Sequence, residues 1–120
     1  MKGYLFLEYP ACSTCRKAKK WLDEQKVNYT DRHIVEERPT CEELKIWFER
    51  SGLPLRKFFN TSGLLYKSMQ LKEKLDGMSE EKQLELLASD GKLVKRPLVI
   101  GEDFVLVGFK PEEWKTVLLK

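Results

Sequence analysis

The sequence predicts an α/β fold assembled from a βαβ unit, a helical block and a closing ββα unit. Three observations carry this reading. An apolar run, an amphipathic run and a β-rich run follow one another before Val35; a helical period broken by Pro and Gly fills the middle; and two short apolar runs flank Gly101-Glu102-Asp103. With 120 residues, 42% hydrophobic and 34% charged, the chain can bury one continuous core and is expected to form a single domain over residues 1–120.

Tyr4-Leu5-Phe6-Leu7-Glu8-Tyr9, closed by Pro10, has the pattern of a strand buried on both faces. After Cys12, the apolar positions Cys15, Ala18, Trp21 and Leu22 recur at helical spacing, with Arg16, Lys17, Lys19, Lys20 and Asp23 on the other side. An amphipathic helix follows from that spacing. Val27-Asn28-Tyr29-Thr30-Asp31 alternates and predicts a second strand fading near His33 to Val35, parallel to the first through a right-handed crossover. Thr40 and Glu43 form a capping-box pattern ahead of Leu44, Trp47 and Phe48, and that helix should end near Gly52. From Leu53 to Leu87, Pro54, Ser62-Gly63 and Asp76-Gly77 cut the period into short helices, with Ser79 as an N-cap and Asp90-Gly91 as the stop. Leu98–Ile100 and Phe104–Val107 read as a hairpin. Pro111, followed by Glu112 and Glu113, opens a last helix with Trp114, Val117 and Leu118 as its apolar stripe.

Lys and Arg total 22 against 19 Asp and Glu, and a net charge of +3 is too small to argue for a direct nucleic-acid partner. No apolar stretch approaches the roughly 20 residues that cross a bilayer, and Met1–Tyr9 lacks a signal-peptide pattern, so no membrane role and a cytoplasmic location are expected. Three cysteines cannot complete a disulfide framework. Two of them form Cys12-Ser13-Thr14-Cys15, a spacing that in a cytosolic chain points to redox chemistry or metal.

Cys12 falls between a strand and a helix, where unpaired backbone N–H groups stabilise a thiolate and the following cations add to the field. It is the expected nucleophile. Cys15, one helical turn on, is the expected resolving thiol: Cys12 attacks a disulfide or oxidised substrate, and Cys15 displaces the product by closing the intramolecular disulfide. A zinc site built from Cys12, Cys15, His33 and Cys41 is the competing reading. It is disfavoured because His33 and Cys41 lack the short spacing of a second ligand pair, and no metal is expected. Cys41 has Glu42 and Glu43 beside it and reads as a small helix residue; His33 receives no role. Trp21, Trp47, Phe48 and Trp114 read as core. Arg96-Pro97 precedes the third strand, and the ordinary preference of an X–Pro bond is trans.

Pro10-Ala11-Cys12-Ser13-Thr14-Cys15-Arg16-Lys17 and Lys95-Arg96-Pro97-Leu98-Val99-Ile100 together resemble the arsenate reductase (ArsC), Spx and MgsR family of thioredoxin-fold proteins. The likeness extends over the helical insertion and Val107-Gly108-Phe109. It implies a thioredoxin-like α/β fold, a mixed four-stranded sheet flanked by helices with a helical insertion between strands 2 and 3, and Pro97 as a cis-proline facing the cysteines. It also implies a thiol-disulfide oxidoreductase with arsenate as a candidate substrate, no bound cofactor, and glutathione with glutaredoxin, or thioredoxin, as reductant. The reductases it resembles bind the oxyanion through arginines from separate segments. Arg96 matches one; Asn60 in Phe58-Phe59-Asn60-Thr61 and Lys110 stand where the others are expected, and Lys supplies charge without the bidentate fork. The substrate-binding candidates are therefore Arg96, Lys110 and Asn60. The Spx branch implies the alternative: a redox-sensing regulator that binds RNA polymerase through the C-terminal domain of its α-subunit. The segment from Gly52 to Asn60 looks more like the reductase-type members.

Overall fold

The computed structural model describes residues Gly3 to Leu119. Its strands β1 (Tyr4–Glu8), β2 (Tyr29–His33), β3 (Leu98–Ile100) and β4 (Val105–Val107) form one sheet in the order β2-β1-β3-β4. The β1 and β2 strands run parallel, Phe6 opposite Asp31, while β3 is antiparallel to both β1 and β4. The fold is thus the thioredoxin-like α/β arrangement, a mixed four-stranded sheet with a helical insertion after its second strand.

Alternation along the strands divides the core in two. Phe6, Val99 and Leu106 turn to the face covered by α1 (Ser13–Glu24) and α6 (Pro111–Leu118), where they pack with Ala18, Leu22 and Trp114. Leu7, Leu98 and Ile100 turn to the other face and the helical insertion. That insertion comprises α2 (Cys41–Ser51), a 3-10 turn at Leu55–Phe58, α3 (Leu64–Ser68), α4 (Leu71–Lys74) and α5 (Glu80–Ser89). Its breaks fall at the Pro and Gly positions that interrupt the sequence period, except between α3 and α4, where Gln70 turns left-handed at φ 56°. Thr40 and Glu43 complete the capping box, and Gly52 ends α2 at φ 69°, a left-handed conformation that glycine adopts without a Cβ penalty.

Three boundaries differ from the sequence reading: β1 ends at Glu8, one residue before Tyr9, and two strands start late. The second strand starts at Tyr29 instead of Val27, because Lys26 turns left-handed at φ 58° and the Val27 N–H still bonds to Leu22 O at the end of α1. Phe104 lies outside β4: the Gly101 N–H bonds to Phe104 O across the hairpin turn, and the Phe104 ring packs on Tyr4. Among the tryptophans, Trp47 and Trp114 are buried as expected, whereas Trp21 is half-buried on the edge of an aromatic cluster with Phe109 and Trp114. Phe48 is also half-buried.

Candidate functional site

The end of β1 and the start of α1 set the two thiols. The Cys12 N–H bonds to Tyr9 O and the Arg16 N–H to Cys12 O, so Cys12 occupies the N-cap with extended backbone, φ −86° and ψ 122°. The Arg16 guanidinium holds Pro10 O at 3.0 Å and braces the turn. Cys12 is half-buried. Cys15, one turn later, is fully buried, and the Tyr9 N–H donates to its sulfur at 3.5 Å. Both thiols are free.

Their protonation diverges. Burial alone would raise Cys12, but the Cys15 backbone N–H, the Cys15 thiol and the Arg96 guanidinium outweigh it and hold Cys12 below an ordinary thiol. The Cys12 sulfur makes no capping hydrogen bond, so this stabilisation acts through the nearby dipoles and charge. Burial pushes Cys15 up to about 12, and the neighbouring Cys12 adds in the same direction against the Tyr9 N–H and Arg96.

Arg96 is carried by the loop before β3. Its peptide bond to Pro97 is cis, its guanidinium lies 5.0 Å from the Tyr9 ring centroid, and the Gly108 N–H bonds to Pro97 O from a left-handed backbone at φ 77°. A bridge between Phe59 and Val94, with the Lys95 N–H on Phe58 O, ties this loop to the 3-10 turn of the insertion. Asn60 is placed by the same ties, its N–H on Leu93 O at 2.8 Å.

As a result Cys12, Asn60, Arg96 and Lys110 all line one groove of about 890 Å³. Neither Cys15 nor Pro97 lines it; Cys15 lies buried on α1, one turn beyond Cys12. Three further cations on the groove, Arg56, Lys57 and Lys95, escape a sequence reading. The basic pair after Leu53-Pro54-Leu55 and the lysine beside Arg96 were the available signals, but only the bridge to the insertion puts them near Cys12. A smaller cavity of about 550 Å³ between Leu53 and Gln83 contains no thiol.

The four residues of the zinc reading, Cys12, Cys15, His33 and Cys41, are not brought together. Among the described residues no three His, Cys, Asp or Glu side chains gather as a metal site. The His33 Nδ1 accepts the Val35 and Glu36 N–H groups at 3.2 and 3.0 Å, capping the turn after β2, and Cys41 opens α2.

Sequence reasoning also missed a buried acid at the end of β1. Glu8, the last residue of β1, is 6% exposed and lies between Asp31 and Lys19. Lys19 Nζ is 2.8 Å from Asp31 Oδ2 and 3.7 Å from Glu8 Oε2. Burial first, then the Asp31 carboxylate, raises Glu8 to about 7. Asp31 is held low, burial being outweighed by Glu8 and Lys19.

The chain is similar to known proteins over most of its length. The chain is 56% identical over 110 residues to the uncharacterized protein YusI of Bacillus subtilis, covering 92% of this chain and 93% of the relative. It is 32% identical to the regulatory protein MgsR of the same organism, covering 90% and 84%. A solved ArsC-family-related protein of Bacteroides fragilis superposes with a TM-score of 0.93 at 63% identity, over 96% and 97% of the two chains. The ArsC family model matches residues 7–117, and the chain belongs to the ArsC family.

Proposed function

We propose that the chain is a thiol-disulfide oxidoreductase in which Cys12 attacks, Cys15 resolves and Arg96 holds the thiolate and an anionic substrate. The observation that carries this is the pairing of an ionisable thiol on a cationic groove with a buried, protonated thiol one helical turn away. The Cys12 thiolate attacks one sulfur of a substrate disulfide, forms a mixed disulfide and expels the other sulfur as a thiolate. Cys15 then gives up its proton and attacks the Cys12 sulfur. The Cys12–Cys15 disulfide closes, the second substrate thiolate leaves, and the released thiolates take up protons: the protein loses two electrons and the substrate gains two. Glutathione, glutaredoxin or thioredoxin would restore the dithiol.

Arsenate enters the same sequence as an electrophile at arsenic. Cys12 displaces one oxygen as water, and attack of Cys15 on Cys12 leaves arsenite, reduced by two electrons. Arg96 offers a fork for the oxyanion, whereas Lys110 and Asn60 offer only charge and an amide. The test is to mix reduced protein with arsenate and, separately, with oxidised glutathione, then alkylate and weigh the products. Oxidation of Cys12 and Cys15 by either reagent supports the oxidoreductase, and arsenate-driven closure identifies an arsenate reductase. Two free thiols after both treatments would sink the reading.

The identity to a protein named as regulatory favours a second reading: a redox-sensing regulator that binds the C-terminal domain of the RNA polymerase α-subunit. Pull-down of that domain by the reduced and the oxidised chain separates the two. Retention that depends on redox state supports the regulator; equal absence in both states removes it.

A further inference from the structure

We propose that the groove beside Cys12 takes an extended acidic peptide segment, so that the substrate is a protein disulfide carried on such a segment instead of a compact oxyanion. The inference rests on the thiol-disulfide reading above and names the substrate of that same site.

Size is the first argument. About 890 Å³ lies in the range of roughly 300–1,000 Å³ that takes ligands of many heavy atoms, and a tetrahedral oxyanion fills a small part of it. Charge is the second. Arg56, Lys57, Lys95, Arg96 and Lys110 line the groove, coming from three separate stretches of chain, and no Asp or Glu lines it. The whole molecule carries 22 basic against 19 acidic residues, so the groove's one-sided charge is a local concentration and not a general property. Arg56 is paired with Asp76, but Lys57, Lys95 and Lys110 have no ion-pair partner among the described residues. A single oxyanion beside Cys12 and Arg96 would leave cations on the remaining stretches unmatched, whereas carboxylates spaced along a peptide would match them in turn. The third argument is the wall chemistry. Leu53, Val107 and Phe109 give the groove apolar contact surface, which suits side chains and stems of a peptide better than a hydrated ion.

The test uses the Cys15→Ser variant, so that the mixed disulfide at Cys12 persists and can be timed. Peptides of equal length, each with one cysteine activated as an aromatic mixed disulfide and flanked by Glu, Gln or Lys, report the charge preference; a small uncharged disulfide reports the thiol chemistry by itself. The acidic peptide should react at least about tenfold faster than the basic one at low salt, the preference should shrink at high salt, and the Lys57→Gln/Lys95→Gln pair should reduce the ratio of acidic to neutral rates. Lys57 is exposed, so Lys57→Glu folds and should reduce the ratio further. Equal rates for the three peptides, or a preference untouched by the lysine variants, would overturn the inference while reaction with the uncharged disulfide leaves the oxidoreductase standing. Failure of the uncharged disulfide as well would overturn the reading beneath it. Oxidised glutathione matching the acidic peptide in rate would assign the groove to a small thiol and overturn the protein substrate.

Discussion

Two neighbouring regions of this molecule treat acidic groups in opposite ways. At the groove mouth, Cys12 is half-buried and faces Arg96 and the first turn of α1, and it is held below an ordinary thiol. Beneath α1, Cys15 and Glu8 lose nearly all contact with water and both are pushed up, to about 12 and about 7. Burial opposes ionisation in each case. What differs is what stands against it: the Cys15 backbone N–H, the Cys15 thiol and Arg96 act together on Cys12, while Lys19, near Glu8, lies closer to Asp31. The donors and charges set against burial, and not residue type, decide which acid is charged.

Exchanging the two thiols for serine breaks the comparison most completely. Cys12→Ser should abolish mixed-disulfide formation with an activated disulfide, and Cys15→Ser should accumulate it, read by mass after quenching with acid. Equal trapping by both variants would remove the assignment of attacking and resolving roles.

Arg96→Gln tests the mouth by itself. Loss of the guanidinium raises Cys12, so alkylation at neutral pH should slow several-fold while the rate at high pH, where the thiol ionises regardless, stays close to that of the unaltered protein. Slowing by the same factor at every pH would mean that access and not ionisation had changed.

The contrast between mouth and floor also marks how far a sequence can be read. The βαβ start, the capped helices and the closing hairpin are legible because each is written in local period and local turn chemistry: Thr40 and Glu43, or Pro111 before Glu112, carry their own instructions. Cys12 and Cys15 are legible for the same reason. Arg56, Lys57 and Lys95 are not, because their meaning depends on the bridge from Phe59 to Val94, between residues far apart in sequence. Glu8 is hidden in another way. Within Tyr4–Tyr9 it reads as the polar end of a strand, and only the parallel pairing with β2 and the cover of α1 put it beside Asp31 and Lys19. The Val27 boundary is misplaced because a left-handed Lys26 leaves no trace in an alternating pattern.

At the floor, Glu8→Gln is the next smaller change. The carboxyl rises from its usual 4.5 to about 7 on folding, so between those values the native state binds more protons than the unfolded state. Its contribution is therefore fully present below the unfolded value and is lost as pH rises through about 7. Glutamine keeps the shape and a donor for Asp31 without the charge, so denaturant unfolding at pH 8 should show the variant more stable by about 1–3 kcal/mol, the gap closing toward pH 5. Asp31, held low, loses its contribution only on acidification below its own unfolded value, outside that window. A variant as pH-dependent as the unaltered protein between pH 5 and 8 would show that Glu8 is charged throughout.

Glu43 supplies the opposite glutamate. It receives both arms of the Arg32 fork at 2.8 and 2.9 Å and the Thr40 N–H at 3.0 Å, on a side chain one-third exposed at the start of α2. Arg32 leads in holding it down to about 2, against a burial that here is too slight to win. A lowered carboxyl contributes stability above its unfolded value and loses it as pH falls through about 2, the reverse of Glu8. Thr40→Ala removes the hydroxyl that accepts the Glu43 N–H but leaves the ion pair, so the expected cost is about 1 kcal/mol at neutral pH, with the acid limb displaced only slightly toward higher pH. Arg32→Gln should displace that limb further than Thr40→Ala does. Solvent screening at this surface keeps both effects below that of Glu8→Gln, which is the ranking expected if burial amplifies the charge imbalance at the floor and water damps it at the helix start.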